Sequence, residues 1–195
     1  MRKVILWIGM SLDGFTADPA DGLDWLVPHA VTPEGQAMFA GLRARADTVL
    51  MGRVNYQGFQ GYWPPVQNDP KASPADRELS RWLDAVPKVV FSRTLKEVTW
   101  KNARLARGST QDELTKLRAE PGKDIIIQNS TRLARSLLSE GQVDELVLLV
   151  APVVIGNGRS LFAGLPRFDL RQVELKRFDD GTFVTRYEVN KAGRP

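Results

Sequence analysis

Unbroken apolar runs alternate along this chain with stretches whose apolar residues recur every three or four positions. Val4-Ile5-Leu6-Trp7-Ile8 is continuous and stops at Gly9, and Asp47 to Met51, Lys88-Val89-Val90-Phe91, Asp124-Ile125-Ile126-Ile127 and Asp144 to Ile155 repeat the form. Such runs predict strands buried on both faces of a sheet. Helix starts stand between them. In Thr32-Pro33-Glu34 the Thr can cap, the Pro suits the first helical position and the Glu faces the positive end of the dipole. Met38, Leu42 and Ala46 continue this helix as a stripe. Ser73-Pro74-Ala75-Asp76 repeats the pattern ahead of Leu79, Trp82 and Leu83, and Thr110-Gln111-Asp112-Glu113 reads as a capping box before Leu114 and Leu117. Ser130 is the expected cap of a helix carrying Leu133, Leu137 and Leu138, with Gly141 as its stop.

The period changes near the C-terminus. Val173 and Leu175 alternate with polar residues, as do Phe183, Thr185, Tyr187 and Val189, and Asp180-Gly181 between the runs marks a hairpin. The expectation is an α/β fold over residues 1–195 as a single domain, with a mainly parallel central sheet extended by a C-terminal antiparallel hairpin. Asp18 to Gly22 is a turn cluster, and Gly58 to Ala72, with three prolines and three aromatics, is expected to be an ordered loop beside the site.

Composition narrows the chemistry. Of 195 residues 43% are hydrophobic, enough for a full core. There is no cysteine, which excludes disulfides, thiolate catalysis and Cys-based zinc sites and fits a cytoplasmic protein. One histidine, His29, excludes a His-rich metal site, so no metal is expected. No apolar run has membrane-spanning length and no signal peptide is evident. The net charge of +4 is dispersed among acids, which reads first as a solvated mixed surface, second as attraction of small phosphorylated ligands, and least as binding of nucleic acid.

Two segments, Asp47 to Tyr56 and Asp144 to Gly158, each run from an acid through an apolar stretch to a glycine turn. With Arg53 directly after the first turn, the pair suggests a mononucleotide-binding enzyme. Gly9-Met10-Ser11-Leu12-Asp13-Gly14 does not match the Rossmann fingerprint, and there is no P-loop.

Ser11-Leu12-Asp13-Gly14-Phe15-Thr16-Ala17 followed by Asp24-Trp25-Leu26 resembles the start of the dihydrofolate reductase-like superfamily, in the branch of the riboflavin-biosynthesis reductase. Met51-Gly52-Arg53 with Tyr56, Tyr62-Trp63-Pro64, Ser92-Arg93-Thr94-Leu95 and the segment from Val143 to Phe162 resemble the same branch, in order. The resemblance implies the three-layer fold of that superfamily and an NADPH-dependent reductase, usually a homodimer. Its motifs would put Gly52 and Arg53 at the cofactor phosphates, with the following helix N-terminus as an anion site. Ser92 and Arg93 would meet the adenosine 2′-phosphate, which a planar guanidinium pairs well. Phe15, Thr16 and Ala17 would wall the nicotinamide, with Gly156 and Gly158 also beside the cofactor. After Ile125-Ile126-Ile127 the family usually has a glycine pair at the pyrophosphate. Gln128-Asn129-Ser130-Thr131 stands here instead, and Asn is the non-glycine residue most tolerant of unusual backbone angles.

Asp24 and Asp13 are the candidate acids for a reduction that leaves an atom needing a proton. Asp24 lies among apolar residues that would desolvate it, or is a helix cap; Asp13 precedes Gly14 and could be a turn carboxylate. Trp63 could stack on a planar heterocycle, and Tyr56 is the other expected substrate contact. The implied substrate is 5-amino-6-(5-phosphoribosylamino)uracil. Dihydrofolate or another pteridine, and a dimeric nucleotide-binding protein with little catalysis, are the alternatives. The deaminase partner domain of such reductases needs a Cys-containing zinc site. A chain without cysteine is expected to be the stand-alone form. The apolar run from Leu146 to Ile155 and the aromatics of the hairpin are expected to exceed what one copy buries, which adds to the expectation of a homodimer.

Overall fold

The computed structural model describes residues 1–190. Its strands are β1 (Val4–Ser11), β2 (Ala46–Gly52), β3 (Lys88–Phe91), β4 (Ala103–Leu105), β5 (Asp124–Gln128), β6 (Glu145–Ala151), β7 (Leu170–Arg177) and β8 (Phe183–Val189). They form one sheet in the order β4-β3-β2-β5-β1-β6-β8-β7. The first six strands pair in parallel; β8 runs antiparallel to β6, and β7 to β8. The helices are α1 (Val27–Ala30), α2 (Pro33–Ala44), α3 (Arg53–Val66), α4 (Pro74–Ala85), α5 (Thr110–Ala119) and α6 (Thr131–Ser139).

Alternation along each strand sends side chains to opposite faces, and both faces are covered. Ile5, Trp7, Val49, Met51 and Ile126 pack beneath α2, α3 and α4. Leu6, Ile8, Leu50 and Ile127 pack against Leu114, Leu133 and Leu137 of α5 and α6. The result is the expected three-layer α/β architecture. α1 docks on the hairpin, where His29 Nδ1 lies 2.8 Å from Asp180 Oδ2.

Three boundaries differ from expectation. The run from Asp144 to Ile155 is a strand only as far as Ala151, because Pro152 brings no N–H to a ladder. The stretch from Gly58 is not all loop. α3 continues to Val66 with Pro64 and Pro65 in its last turn, each forgoing one i→i−4 hydrogen bond. β4, three residues long and not buried, carries no hydrophobic signal. Every residue of β6 is buried within this one chain, so that strand supplies no surplus apolar surface for a second copy.

The amino end of the sheet is closed by charge. Glu145 is 0% exposed, and Lys3 Nζ donates to it at 2.6 Å, Arg45 Nη2 at 3.3 Å, with Arg186 Nη1 at 3.5 Å. Burial alone would raise the Glu145 carboxyl, but the Lys3 hydrogen bond and the charges of Arg45, Lys3 and Arg186 outweigh it and hold it below its usual value. Lys88, buried at the start of β3, donates to the Leu83 and Val86 carbonyls at the end of α4, and burial draws its pKa down to about 8.

Glu145→Gln should cost about 2–3 kcal/mol in urea unfolding, since it leaves three cations without their buried partner although two of them can turn to water. The folded carboxyl titrates below its unfolded value, so its contribution is present above the ordinary carboxylate range and is lost as pH falls through the folded pKa. The stability profile of the variant should lack that acid-side loss.

Candidate functional site

β1, β2, β3, β5 and β6 point their carboxyl ends the same way, and ligands of open parallel sheets bind outside that end. Two helices begin there at once. α3 starts directly after β2 with Gly52 as its N-cap. α6 starts two residues after β5, and Asn129 makes the turn with φ +47°, the left-handed conformation that asparagine tolerates best. The Asn129 N–H still donates to the Trp7 carbonyl at 3.0 Å, so the parallel ladder runs on to the turn itself.

Ser130 does not cap its own helix, contrary to expectation. Its Oγ accepts instead from the Gly52 N–H at 3.0 Å, which ties the start of α6 to the start of α3. The other long helices are finished differently. Thr32, Ser73 and Ser109 cap α2, α4 and α5, and each of those helices has an acid in its first turn. α3 and α6 have neither a side-chain cap nor a first-turn acid. Their first turns keep free N–H groups and the positive end of the dipole, a disposition suited to an anion. Arg53 and Arg132 stand in these same first turns and are exposed, and Arg53 donates only to Gln57 at 3.1 Å. A cation at a helix N-terminus is unfavourable alone and becomes favourable when an anion lies between.

The segment after β1 closes one side. Phe15 bridges Ser160, the Thr16 N–H donates to the Arg159 carbonyl at 2.8 Å, and the Arg159 N–H to the Ala17 carbonyl at 2.9 Å. Thr16 Oγ1 also donates to the Arg159 carbonyl at 3.0 Å, so the 2.8 Å contact between Thr16 and Thr131 has Thr131 as donor. Gly158, at φ +144°, is required, because a Cβ there would meet the Ala17 oxygen at 2.2 Å. Beside this joint opens a cleft of about 520 Å³ lined by Arg132, Arg135, Asn157 and Arg159 among others, with Arg159 paired to Asp21. These arginines carried no motif in the sequence; only folding brings residues 132 and 159 together.

Several expected residues have other work. Gly156 and Gly158 donate their N–H groups to Asp13 and Asn157, at 2.8 Å each, so they shape the loop and have no amide left for a phosphate. Asp13 accepts from Ser11 Oγ at 2.6 Å and from the Ile155 and Gly156 N–H groups. The Ser11 hydrogen bond, helped by those amides, holds its carboxyl below the usual range. It is a turn carboxylate that anchors the loop after β6. Asp24 is exposed beside exposed Leu23; Trp25 and Leu26 turn to the core without covering the carboxylate, and α1 takes Leu26 as its N-cap. Tyr56, expected at the substrate, is 2% exposed. Its hydroxyl accepts from the Thr99 and Trp100 N–H groups. Trp63 packs against Phe59, Tyr62 and the Val49–Met51 core. Ten residues along α3 from Arg53, it lies roughly 15 Å down the helix axis from the ligand end. Ser92 Oγ accepts from the Thr94 and Leu95 N–H groups, which leaves Arg93, exposed and in no ion pair among the described residues, as the reaching group after β3.

Comparison with known proteins adds a family. The family model described as the RibD C-terminal domain matches residues 2–184. The uncharacterized protein YyaP of Bacillus subtilis (strain 168) is 30% identical over 190 residues, covering 97% of this chain and 96% of that protein. Among solved structures, a Shewanella sp. PV-4 protein provisionally assigned to riboflavin biosynthesis superposes with TM-score 0.76 at 24% identity, over 98% of this chain and 100% of that one. A Thermotoga maritima diaminohydroxyphosphoribosylaminopyrimidine deaminase/5-amino-6-(5-phosphoribosylamino)uracil reductase superposes with TM-score 0.65 at 16% identity, over 97% of this chain and 57% of that one. At these identities the superpositions establish the fold.

Ser130→Ala removes the acceptor of the Gly52 N–H and should cost about 1–2 kcal/mol in urea unfolding. Because it frees α6 from α3, affinity for inorganic pyrophosphate measured by calorimetry should fall several-fold in the same variant. An unchanged affinity would detach the joint from anion binding.

Proposed function

The chain belongs to the RibD C-terminal domain family, a family of NADPH-dependent reductases, and on that footing we propose that it reduces a ribosylamino-substituted pyrimidinedione with NADPH, the substrate being 5-amino-6-(5-phosphoribosylamino)uracil or a near analogue. The observation that carries the reading is the pair of uncapped, acid-free helix N-termini joined through Gly52 and Ser130. The residues fit a phosphorylated dinucleotide. First-turn amides of α3 and α6 would hold the diphosphate, with Arg53 beside it. Arg93, without an acidic partner, would take the 2′-phosphate in a charge-assisted pair. Phe15, Thr16 and Ala17, fixed to residues 158–160 and to Thr131, would wall the nicotinamide end. When bound, NADPH supplies the hydride that, with one proton taken up by the ring oxygen as its bond to C1 opens, converts the ribosyl group into a ribityl group.

For the proton, the chain offers positioning more than donation. Asp13 is held ionised by its three hydrogen bonds and keeps the loop after β6 in place. Asp24 stands in solvent. We take water or the substrate's own phosphate as the donor, so that the chain's contribution is to orient the opening ribose at the carboxyl end of the sheet.

Titration of NADPH and NADH by fluorescence should show tighter binding of NADPH, and Arg93→Ala should narrow the difference by roughly 1–3 kcal/mol. Equal affinities in the unmodified protein would remove the 2′-phosphate assignment.

With the ribosylaminouracil substrate, Asp24→Asn should keep kcat and the pH–rate profile, while Asp13→Asn should act mainly through KM by loosening the loop. A loss in kcat of about 10²–10⁴-fold in Asp24→Asn, with the carboxyl limb gone, would make Asp24 the general acid after all.

A further inference from the structure

Asn157-Gly158 is the one Asn-Gly pair in the chain. Asn157 is exposed in the loop after β6, and the glycines on either side of it hold φ +73° and +144°. Gly158 lies outside every strand. Its N–H donates to Asn157 Oδ1 at 2.8 Å, so the carboxamide is folded back on the main-chain nitrogen that follows it. Other residues open to the same chemistry are arranged differently. The Ala103 N–H after Asn102 donates to the Trp100 carbonyl at 3.0 Å, and the Asp69 N–H after Asn68 to the Val66 carbonyl at 3.2 Å. In the three Asp-Gly pairs another residue takes the glycine N–H: the Ser11 carbonyl for Gly14, Asp18 Oδ1 for Gly22 and the Phe178 carbonyl for Gly181.

The surroundings favour a reaction between the two groups. Glycine has no Cβ to shield its nitrogen or to resist ring closure. Asn157 lines the cleft of about 520 Å³ together with Arg132, Arg135 and Arg159. Arg135 is committed to the carbonyls of Ser160, Leu161 and Ala163, and Arg159 to Asp21, whereas Arg132 is exposed in the first turn of α6. Guanidinium groups beside the pair favour loss of the Gly158 amide proton. They also stabilise the oxyanion that forms when this nitrogen attacks a carbonyl carbon.

We propose that Asn157 is a site of spontaneous deamidation, and that the modification weakens the neighbouring anion seat. The Gly158 nitrogen gives up its proton and bonds to Asn157 Cγ. The bond from Cγ to the side-chain nitrogen breaks, and that nitrogen leaves as ammonia with the proton. Water then opens the cyclic imide at Cγ, which gives aspartate, or at the main-chain carbonyl of residue 157, which gives isoaspartate. No electron is transferred, and water is the only other reactant. Either product puts a carboxylate beside Arg132 and Arg159, where it competes with an incoming phosphate for the same cations. Isoaspartate also lengthens the main chain directly before Gly158, where the backbone packs against the Ala17 carbonyl. Each chain thus carries a timer that weakens anion binding with age and alkalinity. This inference rests on the reductase reading only for the statement that the anion is NADPH.

The test incubates the intact protein at neutral and at mildly alkaline pH. The tryptic peptide Ser136–Arg159, whose one asparagine is Asn157, is followed by mass spectrometry, with the aspartate and isoaspartate forms separated by chromatography. Conversion in the folded protein should keep pace with that in the urea-unfolded chain, speed up with pH and outrun conversion at Asn68 and Asn102. Affinity for inorganic pyrophosphate, measured by calorimetry, should fall several-fold as the acid forms accumulate. In Asn157→Gln, whose longer side chain must close a larger ring, the affinity should hold steady over the same incubation. Asn157→Asp should show the lowered affinity from the start. Protection of Asn157 in the folded protein while the unfolded chain converts would overturn the modification site. An affinity that survives full conversion, or an undiminished affinity in Asn157→Asp, would overturn its effect on the anion seat, and so would fresh protein that binds no pyrophosphate. The NADPH titration is independent. Failure there sinks the reductase reading and leaves the modification site standing, and the reverse also holds.

Discussion

Gly52 and Ser130 meet in a single hydrogen bond, and they can do so only because β5 is inserted between β1 and β2. That insertion makes strands distant in sequence into neighbours and sets the starts of α3 and α6 side by side. A serine that would otherwise satisfy its own helix is used to hold the other one. The cost is two helix ends with unsatisfied amides. It is tolerable because those ends face solvent, or an anion when one is bound. The left-handed Asn129 belongs to the same constraint. With the ladder hydrogen bond from its N–H to Trp7 still in place, the chain has only that residue in which to leave the sheet before Ser130 must reach Gly52.

Charge is divided between the two ends of the sheet. At the amino end Glu145 gathers Lys3, Arg45 and Arg186 in a buried network, and Arg2 reaches Asp47 and the Leu117 carbonyl. Cations and anions there are matched, so that end contributes to stability. At the carboxyl end Arg53, Arg93 and Arg132 extend into solvent from a helix start, a strand end and a second helix start. A dispersed net charge of +4 conceals this asymmetry. In a linear reading each arginine has acidic or apolar neighbours; in the fold Glu145 and Asp47 gather cations at one end, and Arg53, Arg93 and Arg132 at the other have no acidic partner among the described residues.

The loops at the ligand end are positioned by groups that resemble catalytic ones. Asp13 accepts three hydrogen bonds and is a staple between the first loop and the loop after β6. Thr16 and Thr131 form a hydroxyl pair that fixes the first loop to α6. Gly158 lets the two loops approach within backbone contact. Carboxylates that hold loops are best ionised, whereas a general acid must stay protonated, so one residue cannot easily serve both ends.

Much of this was legible in the linear chain. Runs such as Ile125-Ile126-Ile127 bury on both faces whatever their neighbours are, because a strand of three β-branched residues has no polar side to expose. The caps at Thr32 and Ser73 act within four residues, so local chemistry decided them, whereas the capping box read at Thr110 and Glu113 forms one residue earlier, between Ser109 and Asp112. The αL turn at Asn129 and the glycine at position 52 were local too. What the tertiary structure decided were the partnerships over long separations. Ser130 serves Gly52, 78 residues away, and not its own helix. Tyr56 turns inward to the 99–100 backbone, and Asp24 stays in water while Trp25 and Leu26 beside it turn to the core. Gln128, inconspicuous at the end of an isoleucine run, is buried with its Oε1 unpaired. A hydrogen bond is directional and is completed by whichever partner the topology brings within about 3 Å, and sequence distance carries no information about that.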